Sequence, residues 1–214
     1  MLFGGDFRGY LGTIPNSWRI QQEGETDTLG ENEAHRRDLE AIFKNHPDGL
    51  WTPTAVDLLG RFKMHSRLSP DIRTEVYKQG VQRYPNSPYT SRWMQQIGHA
   101  YAEAAQRDDQ FDALARAAFE DLLKRFANSD YSPEAFRYLA ESDKRKGDLP
   151  AAHEHAKRWV ESAPVYDKLF AWAFLADLWQ EEKNPQEMQK AIQKTHEAVK
   201  AFRQARNSGS LTIS

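Results

Sequence analysis

A chain of 214 residues has room for one or two ordinary domains, or for one short helical array. Its 29 Lys and Arg nearly balance 31 Asp and Glu, and the formal net charge of −2 gives no global attraction to nucleic acid or to an acidic membrane surface. The absence of cysteine excludes disulfides, thiolate zinc sites, iron–sulfur clusters and a Cys nucleophile, and no apolar run reaches the roughly 18 residues of a membrane-spanning helix.

Residues 1–30 form an irregular arm. Gly4, Gly5, Gly9, Gly12, Pro15, Gly24 and Gly30 interrupt any long helix, while Phe3, Phe7, Tyr10, Ile14 and Trp18 give the arm apolar side chains to dock with. The start, Met1-Leu2-Phe3-Gly4-Gly5-Asp6, has neither the basic beginning nor the apolar core of a secretory signal. The compartment is therefore open: periplasmic if a leader has been removed, cytoplasmic if Met1 is the native start.

From Glu31 onward the apolar pattern is helical. Ala34, Arg37, Asp38, Ala41, Ile42 and Asn45 trace a weak stripe that Pro47-Asp48-Gly49 ends. Thr52-Pro53, Ser69-Pro70, Ser87-Pro88 and Ser132-Pro133 are start signals, a short polar cap followed by a proline whose missing N–H costs nothing in the first turn. The helices they open bury Val56, Leu59 and Phe62, then Ile72, Val76 and Tyr77, then Trp93, Met94, Ile97 and Tyr101. Phe111 to Phe126 carries the cleanest 3.6-residue stripe. Asp148 caps a helix with Ala152, Ala156 and Trp159, and Asn184-Pro185-Gln186-Glu187 is a capping box for the last one. Residues 207–214 read as a small, polar tail. No segment alternates like a strand.

A large apolar residue followed by a small one recurs at Leu59-Gly60, Ile97-Gly98, Leu139-Ala140 and Leu175-Ala176, with spacings of 38, 42 and 36 residues. A period of that length marks helix hairpins stacked side by side. A second self-match supports it: Arg83-Tyr84-Pro85-Asn86-Ser87-Pro88-Tyr89 returns as Arg125-Phe126-Ala127-Asn128-Ser129-Asp130-Tyr131. Small residues allow two helices to approach closely while bulky ones fill the space beside them.

The stretch from Pro133 to Pro164 resembles a tetratricopeptide repeat, with Phe136, Leu139, Ala140, Gly147, Ala152 and Pro164 at the family's signature places. Trp172, Leu175, Ala176 and Trp179 match its W-x-x-L-G-x-x-Y core. Asp143 departs from the pattern, standing where an aromatic is usual, and about five extra residues lie around Gln106 to Phe111. The Tyr-Pro-Asn-Ser-Pro-Tyr linker is similar to those of envelope-associated bacterial repeat proteins. The resemblance covers about residues 50–203 and implies an all-α fold, a right-handed α-solenoid of antiparallel hairpins over residues 31–206 following the arm.

No local pattern points to catalysis or to a bound metal or cofactor. His153-Glu154 lacks the second His of the H-E-x-x-H zinc pattern, and His153 and His155 point apart on a helix. Gly4 to Gly9 lacks the Lys-Ser/Thr of a phosphate loop, and no G-x-S-x-G elbow exists. The chain reads as a non-enzymatic scaffold for protein–protein interaction within a larger assembly, one in the cell envelope if the linker is a guide.

The resemblance implies a partner groove lined by the first helix of each hairpin. Transferred to this chain, that face carries Asp57, Arg61, Arg92, Gln95, His99, Arg137, Glu141, Lys144, Phe170 and Asp177. Of these, Arg61, Arg92, Gln95, His99, Arg137, Glu141, Lys144 and Asp177 are the expected partner-binding residues. Guanidinium groups fork onto carboxylates, so the expected ligand is a protein or peptide with acidic residues. The family's Lys and Asn clamp for a chaperone's terminal carboxylate is not found. The exposed end of such a stack also invites a second copy of the chain. An alternative reading is a helical enzyme or regulatory ligand-binding domain, with its pocket between the arm and the first helices.

Overall fold

Proline and short polar residues divide the chain into amphipathic segments, and every regular element among the described residues is helical. The computed structural model describes residues 29–64 and 68–207. Of the expected arm (1–30) residues 1–28, and of the expected tail (207–214) residues 208–214, lie outside them, while Leu29, Gly30 and Asn207 are helical. Packing divides the chain into two compact units, residues 1–89 and 90–214.

In the first unit, α1 (Leu29–Asn45), α2 (Thr52–Met64) and α3 (Pro70–Arg83) follow one another through short turns, each packed on the next. Leu39, Ala55, Val56, Leu59, Val76 and Tyr77 are buried. The α1 stripe differs in phase from the expected one. Ala34, Arg37, Asp38 and Ala41 are exposed, whereas His35 and Leu39 are buried and Ile42 and Phe43 half-buried. Leu39 and Phe43 offer more apolar area than alanines do, and burial scales with that area. Gly60 passes so close to Tyr77 that an added Cβ would lie 2.7 Å from the ring's Cδ1.

The second unit contains α4 (Thr90–Ala105), a 3-10 turn (Asp109–Phe111), α5 (Asp112–Phe126), α6 (Ser132–Arg145), α7 (Leu149–Ser162), α8 (Val165–Glu181) and α9 (Pro185–Asn207). The pairs α4–α5, α6–α7 and α8–α9 are three consecutive hairpins. Hairpin neighbours also touch, α6 against α4 and α5, and α8 against α7. Trp93, Phe119, Leu122, Leu139 and Leu178 are almost wholly buried. Ala140, Ala152, Ala156, Leu175, Leu178 and Ala191 form one core cluster, with Trp172, Ala176 and Trp179 packed against it. The Leu and Phe side chains stabilise by about 1.5–3 kcal/mol each when removed from water.

The extra residues between α4 and α5 form the 3-10 turn. The Asp108 carboxylate accepts from Gln110 N at 3.1 Å, and the Phe111 ring stacks on Tyr101 with centroids 6.2 Å apart. Gly147 takes φ +78°, the left-handed conformation that lets α6 turn into α7. Two expected caps are present: Asp148 accepts from Ala151 N at 3.1 Å and Asn184 from Glu187 N at 3.3 Å.

Other start signals work differently from expectation. Ser87-Pro88 lies in a turn, and α4 begins at Thr90. Ser69 makes no side-chain cap bond. Thr52 donates its hydroxyl backward to His46 O at 2.5 Å, and Ser132 donates to Phe126 O at 2.9 Å. Each hydroxyl thus gives a second donor to the carbonyl six residues earlier, which also accepts from Gly49 N or Ser129 N, and ties one helix end to the next start. Thr52, Thr90 and Ser132 are fully buried and spaced by 38 and 42 residues, the period of the Leu-Gly pairs.

Candidate partner-binding face

On α6 the exposed Arg137 and the half-buried Glu141 stand one turn apart, as the helical period dictates, with Arg137 Nε 3.9 Å from Glu141 Oε1. A turn further on, Lys144 pairs with Asp177 and, at 2.8 Å, with Glu181, both on α8. Its Nζ also lies 5.7 Å from the centroid of Phe174. Burial alone would lower the Lys144 pKa, but the Asp177 and Glu181 carboxylates outweigh it and hold the ammonium above its ordinary value. Glu141 shifts upward, mainly through burial that Arg137 and Arg145 only partly offset.

The other expected residues are distributed as follows. Gln95, buried on α4, donates its amide to Glu134 at the start of α6, and His99 is exposed one turn further along α4. Arg92 is half-buried in the first turn of α4. Arg61 belongs to the first unit, where its Nε and guanidinium NH2 reach the buried Asp57 carboxylate at 3.0 and 2.8 Å. Arg61, Arg137 and Lys144 therefore each have a carboxylate of this chain beside them. An acidic ligand would have to compete with those groups.

Sequence reasoning missed the feature that gives this face its relief. A cleft of about 320 Å³ opens where the α5–α6 turn meets the start of α8, lined by Asp130, Tyr131, Pro133, Glu134, Arg137, Pro164, Tyr166 and Asp167. Beside it, Val165, Tyr166 and Phe170 are 42%, 52% and 57% exposed. The inward face of α8 runs through Ala171, Leu175 and Leu178, so Tyr166 and Phe170, four residues apart, lie together off that face. Their spacing relative to the buried stripe was the available signal. Asp167 is fixed by the indole N–H of Trp159, which donates to Oδ2 at 2.7 Å.

Two polar clusters behind the face are structural. The buried Asp143 accepts from Arg116 at 2.6 Å, and His155 Nδ1 lies 2.6 Å from its other oxygen. This ties α5, α6 and α7 together and explains a carboxylate where the repeat pattern places an aromatic. Asp112 accepts from Tyr138 at 2.8 Å and from Ser142 at 3.0 Å, and Lys146 and Arg145 approach it at 2.6 and 3.1 Å. Burial would raise this carboxyl, but the bonds from Lys146, Tyr138 and Ser142 hold it down at about 2.

His153 and His155 have separate surroundings, as their spacing implies. The His153 ring is buried 3.9 Å from that of Trp179 between centroids, with Nε2 3.2 Å from Glu182 but outside hydrogen-bond geometry. Among the described residues no group of three or more His, Asp or Glu side chains converges as metal ligands would, and no helix is long and apolar enough to cross a membrane.

The fold is similar to a solved structure, the crystal structure of MamA, with a TM-score of 0.60 and 16% sequence identity over 84% of this chain and 99% of that one. MamA is a tetratricopeptide-type helical protein, and the likeness supports an all-α fold of that type. No protein-family model matches the chain, and no curated protein matches it significantly.

Proposed function

We propose that this chain is a non-enzymatic protein-interaction scaffold whose second unit holds a partner polypeptide along α6 and the first turns of α8. The observation that carries this reading is the exposed group Val165, Tyr166 and Phe170 beside the cleft and the charged row Arg137, Glu141 and Lys144. Contiguous exposed apolar side chains rimmed by polar groups are characteristic of interaction surfaces. The likeness to MamA supports a scaffold fold, and membership of a larger envelope assembly rests on the linker resemblance alone.

The energetics favour apolar contact over charge. Arg137 and Lys144 already have intramolecular partners, so a ligand's carboxylates exchange one ion pair for another with little net gain. Burial of Tyr166 and Phe170 is worth about 25 cal/mol per Å² and works against the rigid-body entropy of association and the ordering of the partner.

Panning a random-peptide library on the intact chain, followed by amide chemical-shift mapping of a selected peptide, tests the reading. Perturbed residues clustering on α6 and the start of α8 are expected. Failure to select any peptide, or perturbations confined to α7 and α9, would refute it.

A further inference from the structure

We infer that the cleft between the α5–α6 turn and the start of α8 receives a lysine or arginine side chain of the partner polypeptide, an inference that rests on the scaffold reading. Its lining sets three carboxylates, Asp130, Glu134 and Asp167, against one guanidinium, Arg137. Asp167 and Glu134 each accept from a neutral donor, the Trp159 indole and the Gln95 amide, rather than from a cationic side chain. The Asp130 carboxylate is exposed, with no ion-pair or hydrogen-bond partner among the described residues. Arg137 is 3.9 Å from Glu141, outside the cleft lining.

The walls suit the same occupant. Tyr131 and Tyr166 present aromatic rings, and Pro133 and Pro164 present rigid apolar surface. Aromatic faces attract cations, more strongly as water is excluded, and the methylene stem of a long basic residue covers apolar surface while its head stays polar. At about 320 Å³ the cleft is at the small end of ligand-sized pockets and suits one long side chain. Phe170, one turn from Tyr166, would then meet an apolar residue adjacent to the basic one in the partner. The preference is opposite in sign to the one expected from the arginines of the groove.

Peptides selected on the intact chain, resynthesised and titrated against wild type, Asp130→Lys and Tyr166→Ala, test the inference. Lysine or arginine next to an apolar residue should be enriched in the selected sequences. Capture by Asp130→Lys should fall about tenfold or more, and raised salt should weaken the wild-type complex. Asp130 and Tyr166 are exposed, so unchanged thermal melts are expected and separate binding from folding. Selected peptides without basic enrichment, or undiminished capture by both variants, would overturn the inference and leave the scaffold reading standing. If no peptide is selected at all, both fall.

Discussion

Gly98 faces Phe119 so closely that a Cβ built on the glycine would lie 2.7 Å from Phe119 Cε1. The same relationship holds between Gly60, 38 residues before Gly98, and Tyr77. In each unit a glycine on the first helix of a hairpin admits an aromatic ring from the second. Gly98→Ala gains about 1 kcal/mol in helix propensity but forces the nearly inaccessible Phe119 to move, and overpacking costs about 1–3 kcal/mol. The variant is expected to be less stable than wild type in urea unfolding, and Phe119→Leu in the same chain should recover part of the loss.

Asp143 predicts a larger effect. Its carboxylate lies between Arg116 and His155 and is itself buried. Removing one member of a buried pair typically costs about 3–5 kcal/mol. The Arg116 side chain is 19% exposed, which lowers the expected loss for Asp143→Asn to about 2–4 kcal/mol. In a double-mutant cycle with Arg116→Met, the two losses should sum to more than the loss in the double variant.

Asp112 gives the fold an acid dependence of definite sign. Its pKa is held at about 2, below the ordinary 3.8. A carboxyl lowered on folding contributes stability above its unfolded value and loses it as pH falls through the folded one. Unfolding free energy should therefore decline between about pH 4 and pH 2 in part through this group. Asp112→Asn should show a shallower decline over that window in urea titrations at stepped pH.

The backward bond from Ser132 to Phe126 O provides another stability test. Ser132→Ala removes one of two donors to the Phe126 carbonyl, which still accepts from Ser129 N at 3.0 Å, so about 0.5–1.5 kcal/mol, the net worth of one hydrogen bond, should be lost. An unchanged midpoint in thermal unfolding would show that the hydroxyl is not needed there.

The helices and their order were readable because period and punctuation agreed. Leu59-Gly60 and Ile97-Gly98 marked close approaches, and Asp148 and Asn184 marked caps that the structure contains. Thr52 and Ser132 were recognised as helix starts, but the direction of their hydroxyl bonds depends on where the preceding helix ends. The phase of α1 was misread because alanine carries little information about burial. Asp143 looked like a defect in the repeat until Arg116 and His155, 27 residues before and 12 after it, were seen converging on it. The cleft was hidden for the same reason. Asp130 and Asp167 come from different turns, and sequence reasoning extended the groove along first helices instead of across turns.

Position-resolved photo-crosslinking tests the central claim most directly. A benzophenone side chain placed at Phe170, and as a control at the exposed Glu154 of α7, is irradiated in the presence of a selected peptide. Adducts at position 170 and none above background at position 154 are the expected result. Equal labelling at both positions, or labelling at 154 alone, would contradict the assignment of partner binding to the face beside α8.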